Sequence, residues 1–156
     1  MLLKGVRHNE HVFISARIQR LDINGEIISK TSHIKKFNKK SLLFKMSLPH
    51  QGLLTHKSYF QKYGLFDPNL KFCMDYDHLL RSYKEFPNVY TKDIVLANWR
   101  ADGIGNGKYL EIFKEYNRIK EKNKVANKVI LILLNFWILF KHFLNIIFGR
   151  DYNVMQ

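Results

Sequence analysis

Residues 129–148 form an almost purely apolar run, and this run constrains the fold more than any other feature of the chain. The sequence VILILLNFWILFKHFLNIIF carries one formal charge, at Lys141. A helix of this length is about 30 Å long, just enough to cross the hydrocarbon core of a bilayer. The central Lys141 and His142 disfavour a spanning position without excluding it. A helix lying in a membrane interface and a helix buried against a partner or another domain are the other two options.

Four cations lie in or beside the apolar run: Lys124, Lys128, Lys141 and Arg150. Basic residues around an aromatic-rich apolar helix are typical of segments that lie in the interface of an anionic membrane. We therefore favour membrane association over burial against a partner. The change in character divides the chain into residues 1–122, a folded domain, and residues 123–156, a basic and apolar membrane-associating helix and tail.

The chain as a whole is strongly basic. Its 156 residues include 26 Lys and Arg against 13 Asp and Glu, a formal charge of +13. Such an excess implies an anionic partner, which is a nucleic acid, anionic lipid head groups or a phosphorylated substrate, and the charge alone does not choose among them. The single cysteine, Cys73, excludes an internal disulfide and fits a reducing compartment.

Strand and helix patterns alternate before the tail. Residues 11–30 predict a β-hairpin that turns at Asn24-Gly25. Thr55 is a candidate N-cap for a short helix that Gly64 ends. Residues 89–101 predict one or two strands, and the Gly-rich stretch 102–107 lacks a phosphate-loop pattern and is read as a turn. Residues 108–124 predict an amphipathic helix with these residues on or near one face: Tyr109, Leu110, Ile112, Phe113, Tyr116 and Ile119. The fold class is therefore α/β.

Two carboxylates, Asp75 and Asp77, lie at the start of a helix predicted for residues 75–86, with Leu79, Leu80 and Tyr83 facing inward. A carboxylate in a first helical turn is stabilised by free backbone N–H groups and by the helix dipole, so Asp75 can be a cap alone. Asp77 precedes Arg81 by four residues, the spacing of an ion pair within a helix. The helix start also favours an ionised Asp75, as a base that removes a hydroxyl proton must be.

Three histidines lie near these carboxylates in sequence. His50 follows Pro49 in a loop that is a candidate pocket wall, although a loop histidine is more often solvated or structural. His56, in the first turn of a short exposed helix, and His78 are both predicted at the surface.

An ordered set of motifs in residues 49–81, PHQGLLTHKSYFQKYGLFDPNLKFCMDYDHLLR, resembles the C-terminal half of the catalytic domain of family 2 glycosyltransferases. These are GT-A-type enzymes that build bacterial surface polysaccharides. The matching elements are His50-Gln51, Gly64-Leu65-Phe66-Asp67, Asp75-Tyr76-Asp77 and Leu80-Arg81. Residues 95–107 resemble the strand and glycine-containing loop that follow in the family, and the likeness covers residues 10–122.

The resemblance implies roles for five residues. Asp75 falls at the catalytic base, which deprotonates the acceptor hydroxyl for in-line attack on the anomeric carbon with inversion. Asp77 and Arg81 would support the helix start and the acceptor pocket. His50 and Gln51 would line the site, with His50 a candidate metal neighbour.

The same resemblance predicts a mixed sheet with helices, a partial GT-A-like domain. Its partners would be a nucleotide sugar donor, a lipid-linked or saccharide acceptor and an anionic membrane at the inner, cytoplasmic face of the cell envelope, with no nucleic acid. Family members use Mn²⁺ or Mg²⁺, bound by an Asp-x-Asp motif that ends a nucleotide-binding half. The only aspartate before Asp67 here is Asp22, so we expect that half to be missing and the isolated chain to transfer sugar poorly or not at all.

A non-enzymatic protein is the competing hypothesis. A basic peripheral membrane-binding or nucleic-acid-binding protein would use the same charge without catalysis. An inactive relative of the enzyme would have the same sequence features.

Overall fold

The computed structural model describes residues 12–100 and 107–148, and in that part it is a mixed α/β structure with a mixed four-stranded sheet, as predicted. The strands are β1 Phe13–Leu21, β2 Ile27–Lys30, β3 Leu53–Thr55 and β4 Val89–Arg100. The α-helices are α1 Lys57–Tyr63, α2 Met74–Leu80, α3 Tyr109–Lys122 and α4 Lys128–Ile147. Short 3-10 helices cover Lys39–Leu43, His50–Gly52 and Tyr83–Glu85.

Strand β1 is the centre of the sheet. Strand β4 pairs with it in parallel along its full length, from Phe13 opposite Val89 to Leu21 opposite Arg100. Strands β2 and β3 pair antiparallel with its last and first three residues respectively. Because β4 occupies one edge of β1, β2 and β3 share the other edge, and residues 16–18 lie between them.

The predicted hairpin of β1 and β2 is confirmed. Gly25 has φ +87° in the turn, a conformation that costs glycine little. The Asp22 carboxylate accepts hydrogen bonds from the Asn24 and Glu26 backbone N–H groups, at 2.9 and 2.8 Å. This Asx-type turn is local in sequence, and local turn chemistry is what the sequence encodes most directly.

Helix α1 begins one residue later than predicted. Its N-cap is His56, whose Nδ1 accepts from the Ser58 N–H, because Thr55 remains in β3 opposite Phe13. Gly64, with φ +79°, ends the helix as expected.

Helix α2 is shorter than predicted and ends at Leu80, with the Tyr83–Glu85 3-10 turn following it. Leu79, Leu80 and Tyr83 are buried, as the pattern indicated.

Helices α3 and α4 pack antiparallel. Tyr109 at the start of α3 stacks on His142 near the end of α4, with ring centroids 4.0 Å apart. Phe113, Tyr116 and Ile119 are buried as predicted, but Leu110 is 64% exposed and lies off the packed face. The interpretation of Leu110 was therefore wrong. Val125 and Leu131 join the main core, and a domain boundary after residue 122 stays a prediction.

The outer face of α4 is apolar and exposed. Asn127 caps the helix through a 2.8 Å hydrogen bond from the Ile130 N–H to its Oδ1 atom. Leu131 and Ile138 are buried, whereas Phe136 and Trp137 are largely exposed. By length and composition, α4 is the one helix of the described residues that could cross a membrane.

Candidate functional site

A small cavity of about 180 Å³ lies between the 50–55 segment, α1 and the start of α2. Its wall combines two histidines and a carboxylate with mostly apolar side chains: His50, Leu53, Leu54, Thr55, Phe60, Phe66, Asp75, His78 and Leu79. The structure thus brings together two of the predicted site residues, His50 and Asp75. Gln51 is exposed and does not line this cavity.

Asp75 sits in the first turn of α2, where its Oδ1 atom accepts the Tyr76 N–H at 2.8 Å. Burial raises the pKa of this carboxyl above its ordinary value, against smaller lowering effects of the Tyr76 N–H and the His50 charge. The Tyr76 N–H at the helix start lowers the pKa, as expected, but removal from water outweighs this effect. That Asp75 is ionised near neutral pH stays a prediction. An ionised Asp75 is consequently a stronger base than a solvated aspartate.

Glu115 of α3 holds the loop that leads into α2. Its carboxylate accepts the backbone N–H groups of Lys71, Phe72 and Cys73, each at 2.8 Å. Burial raises the pKa of Glu115, but these three donors hold it below its ordinary value. Glu115 was not predicted from the sequence, since no local pattern links it to a loop more than 40 residues earlier.

Asp77 is fully buried behind the cavity. The predicted ion pair is confirmed: Arg81 donates from Nε and Nη2 to Asp77 Oδ2, at 3.0 and 2.6 Å. Asn123 donates to Asp77 Oδ1 at 3.0 Å, and the Lys122 ammonium lies 3.3 Å from the same oxygen. Burial raises the pKa of Asp77, yet these partners hold it below its ordinary value, so the residue is an ionised structural support.

Arg81 also fixes the turn that follows α1. Its Nη1 atom donates to the backbone oxygens of Tyr63 and Leu65, at 2.8 and 2.7 Å. Together with Asp77, which also binds Asn123, it ties α2 to the turn after α1 and to the end of α3.

His78 is 3% exposed, so the prediction of a surface position was wrong. Its Nε2 atom lies 2.9 Å from the Gly64 carbonyl oxygen, which can only accept, so Nε2 carries the proton. The ring packs among three aromatic rings, with centroids 4.7 to 4.9 Å away: Tyr59, Phe60 and Phe66. Burial lowers the pKa of His78, which favours a neutral ring in the cavity wall.

His50 starts the 3-10 helix His50–Gly52 and is exposed at the mouth of the cavity. Its ring meets Phe66 edge-on at 5.7 Å. The backbone here approaches β1 so closely that a Cβ atom on Gly52 would lie 2.5 Å from the Ala16 carbonyl oxygen. Glycine at position 52 therefore sets the place of His50 against the sheet.

Within residues 12–100 and 107–148, no group of three His, Cys, Asp or Glu residues is close enough to hold a metal ion. His50 and Asp75 line the same cavity, and Mg²⁺ commonly takes only one or two carboxylates from the protein and its other ligands from water and substrate phosphates. The divalent metal that the resemblance implies stays a prediction.

Chemically, the cavity offers one partly buried carboxylate and a histidine in its wall, in mostly apolar surroundings that strengthen electrostatic interactions. This arrangement suits proton removal from a hydroxyl group.

Comparison with known proteins found no family model that matches the sequence and no curated protein that matches it.

Proposed function

We propose that this chain is the acceptor-side part of a family 2 glycosyltransferase with a GT-A-like fold. It would take part in transferring a sugar from a nucleotide-diphosphate donor to an acceptor during cell-envelope or capsular polysaccharide synthesis. The observation that carries the proposal is the shared cavity of His50 and Asp75, two residues from separate motifs of the family resemblance. The family resemblance assigns Asp75 the role of general base.

In the proposed reaction, Asp75 accepts the proton of an acceptor hydroxyl. The hydroxyl oxygen forms a bond to the anomeric carbon of the donor sugar while the bond from that carbon to the diphosphate oxygen breaks, which inverts the anomeric configuration. The diphosphate leaves with the bonding electron pair. Burial of Asp75 supports this role, since a raised pKa strengthens the base.

Other residues of the frame position Asp75 and His50. Glu115 anchors the loop before α2, and the Asp77–Arg81 pair fixes the other end of that helix. His78 fills the cavity wall as a neutral ring and excludes water beside Asp75. We assign His50 to the acceptor, at the open side of the cavity.

The exposed apolar face of α4 supports a position of the protein at the membrane. We propose that this helix lies in the interface of the inner, cytoplasmic leaflet. Its exposed face presents large aromatic side chains, among them Phe136, Trp137 and Phe143. Basic residues flank it, so anionic lipids would attract the same surface. A lipid-linked acceptor would then be delivered to the protein at the membrane.

A chromosomal Asp75→Asn variant tests the enzymatic role in the cell, where donor, acceptor and any partner chain are present. We expect loss of at least one sugar from the surface polysaccharide, with protein abundance unchanged. Glu121→Gln, an exposed carboxylate on α3, is the matched control and should leave the polysaccharide intact. A polysaccharide that is unaltered by Asp75→Asn would refute the proposed function.

The non-enzymatic alternative is favoured by one observation, the exposed apolar face of α4. A membrane-binding protein without catalysis would tolerate Asp75→Asn fully and lose its function when α4 is altered.

A further inference from the structure

A second, larger cavity of about 390 Å³ lies on the other side of Pro49 from the His50–Asp75 cavity. Its volume falls in the range of small-molecule sites, roughly 300–1,000 Å³. It opens where the edge of β1 lies between β2 and β3, and residues 15–17 form its floor. We call it the basic cleft, after the side chains that line it.

The lining is dominated by cations and hydroxyl groups. Four Lys and Arg residues contribute to it, Arg17, Lys30, Lys45 and Lys92, together with four hydroxyl residues, Ser15, Thr31, Ser32 and Ser47. Among the described residues that line the cleft there is no aspartate or glutamate. Asp93, just outside, offsets one charge through its 2.9 Å contact with Arg17 Nε. Among the described residues the four lining cations outnumber this one carboxylate, which favours an anionic ligand.

His33 gives an independent indication of a ligand. It lines the cleft, and its Nε2 atom is buried without a hydrogen-bond partner among the described residues. Its Nδ1 atom lies 3.9 Å from Asp93 Oδ2. Buried polar atoms in folded proteins are normally paired, so an orphaned ring nitrogen in a cationic cleft marks a place where a ligand oxygen could bind.

Strand β4 is distorted beside the cleft. The register with β1 runs from Ala16 opposite Lys92 directly to Arg17 opposite Val95, so two extra residues bulge from β4 at this point. Bulges re-aim side chains and are over-represented next to functional sites. The bulge contains Asp93, the partner of Arg17, and begins after Lys92 of the cleft wall.

We propose that the basic cleft binds the diphosphate group of a substrate. Lysine ammonium groups and serine or threonine hydroxyls donate hydrogen bonds to phosphate oxygens, and the spread of cations along the cleft suits two linked phosphates better than one carboxylate. Pro49 lines the basic cleft and the next residue, His50, lines the other cavity, so the two cavities lie on neighbouring parts of the same segment.

The source of the diphosphate rests on the proposed function. A diphosphate-linked lipid acceptor and a nucleoside diphosphate share the same chemistry, and both are expected substrates of that reaction. Binding of the inorganic ion requires no sugar transfer, so it tests the cleft even if the proposed function fails.

Calorimetric titration of the full chain with inorganic diphosphate tests the cleft directly. The variant is the double substitution Lys30→Ala and Lys45→Ala. The control is Lys35→Ala and Lys36→Ala, which removes the same charge from exposed positions outside the lining. We expect the cleft variant to weaken binding at least about tenfold, as for loss of a charged hydrogen bond, and the control to change it by less than about twofold. Circular dichroism of each variant confirms folding.

Competition arms identify the source. Displacement of inorganic diphosphate by neutral vesicles containing a polyprenyl diphosphate would assign the cleft to the lipid acceptor, and displacement by uridine diphosphate alone would assign it to the donor. Equal weakening by the cleft and control variants, or no diphosphate binding, would overturn the proposal. So would binding of a single-stranded oligonucleotide that depends on Lys30 and Lys45 while diphosphate does not bind.

Discussion

At the scale of single residues, Asp75 combines a chemical asset with a cost in stability. Its carboxyl is crowded by the protein, and burial raises its pKa. In the folded state the ionised form is therefore disfavoured relative to the unfolded chain, so the charge lowers the free energy of unfolding at neutral pH. Residues that are retained at such a cost are typical of functional sites.

This cost leads to a prediction for Asp75→Asn. Because the folded pKa is raised, the penalty is absent below the unfolded pKa of about 4 and grows as pH rises through the folded pKa. We expect the variant to match wild type in acid and to melt at the same or a higher temperature at neutral pH. Thermal unfolding at both pH values checks this, and a lower melting temperature for the variant at neutral pH would contradict it.

Lys120 is a second costly residue. It is 1% exposed on α3, and burial lowers its pKa to about 8. The Asn117 Oδ1 atom, at 3.4 Å, is a weak partner for its ammonium group. The charged form therefore destabilises the fold below that pKa, and the penalty is relieved as pH rises from about 8 towards 10.5, the ordinary value.

We predict that Lys120→Met raises the free energy of unfolding by roughly 1–3 kcal/mol at neutral pH. The advantage over wild type should shrink between pH 8 and pH 9.5, since the neutral lysine of the wild type no longer carries the penalty. Urea unfolding of both proteins across this range measures the difference between their free energies of unfolding. Other groups that titrate in this range are the same in both proteins, so their contributions cancel in the difference. A constant difference would show that burial does not lower the pKa of Lys120, because its side chain would then stay charged in both the folded and the unfolded state over this range.

The contacts of a residue were predictable where its partner is close in sequence. The spacing of Asp77 and Arg81 indicated their ion pair, which the structure confirms. Glu115 was not predictable, because its three partners come from a distant loop. His78 was misplaced for a related reason: its burial depends on rings from α1 and the following turn, not on its own helix.

At the scale of elements, turns and caps followed from local chemistry. Asn24-Gly25 indicated the hairpin, and Gly64 indicated the end of α1. The start of α1 was missed by one residue, because pairing of Thr55 with β1 overrides its preference for a cap. The apolar run predicted the helix α4, but its packing partner α3 could not be read from the run itself.

The exposed face of α4 makes a prediction about membrane binding. Phe136 is 70% exposed, so Phe136→Glu should leave the fold intact and place a charge in the bilayer interface. We expect at least about a tenfold loss of binding to vesicles that contain phosphatidylglycerol, given the cost of burying a carboxylate in lipid.

Gln61→Glu is the control for this experiment, since it adds the same charge at an exposed position on α1. It should retain vesicle binding to within about twofold, because salt screens an exposed surface charge and leaves it only a weak effect. Equal binding by wild type and Phe136→Glu in a flotation assay would reject the interfacial position of α4.

At the scale of the whole molecule, the candidate site exists only because distant segments meet. His50 comes from the segment before β3, Asp75 and His78 from α2, and the supporting Glu115 and Asn123 from α3 and its end. Periodicity indicated a sheet with helices but not the order of the strands, in which β1 pairs with each of the other three. The basic cleft was likewise invisible in sequence, where its lysines are scattered among many others.

The central claim is that Asp75 removes a proton from the acceptor during sugar transfer. The most direct measurement is the initial rate at which membranes from producing cells transfer labelled sugar from a panel of nucleotide sugars to endogenous lipid. We predict that wild-type and Glu121→Gln membranes transfer at similar rates and that Asp75→Asn membranes are slower by at least about a hundredfold, the contribution of a general base. Equal rates for Asp75→Asn and wild type, or no transfer from any donor by wild-type membranes, would contradict the claim.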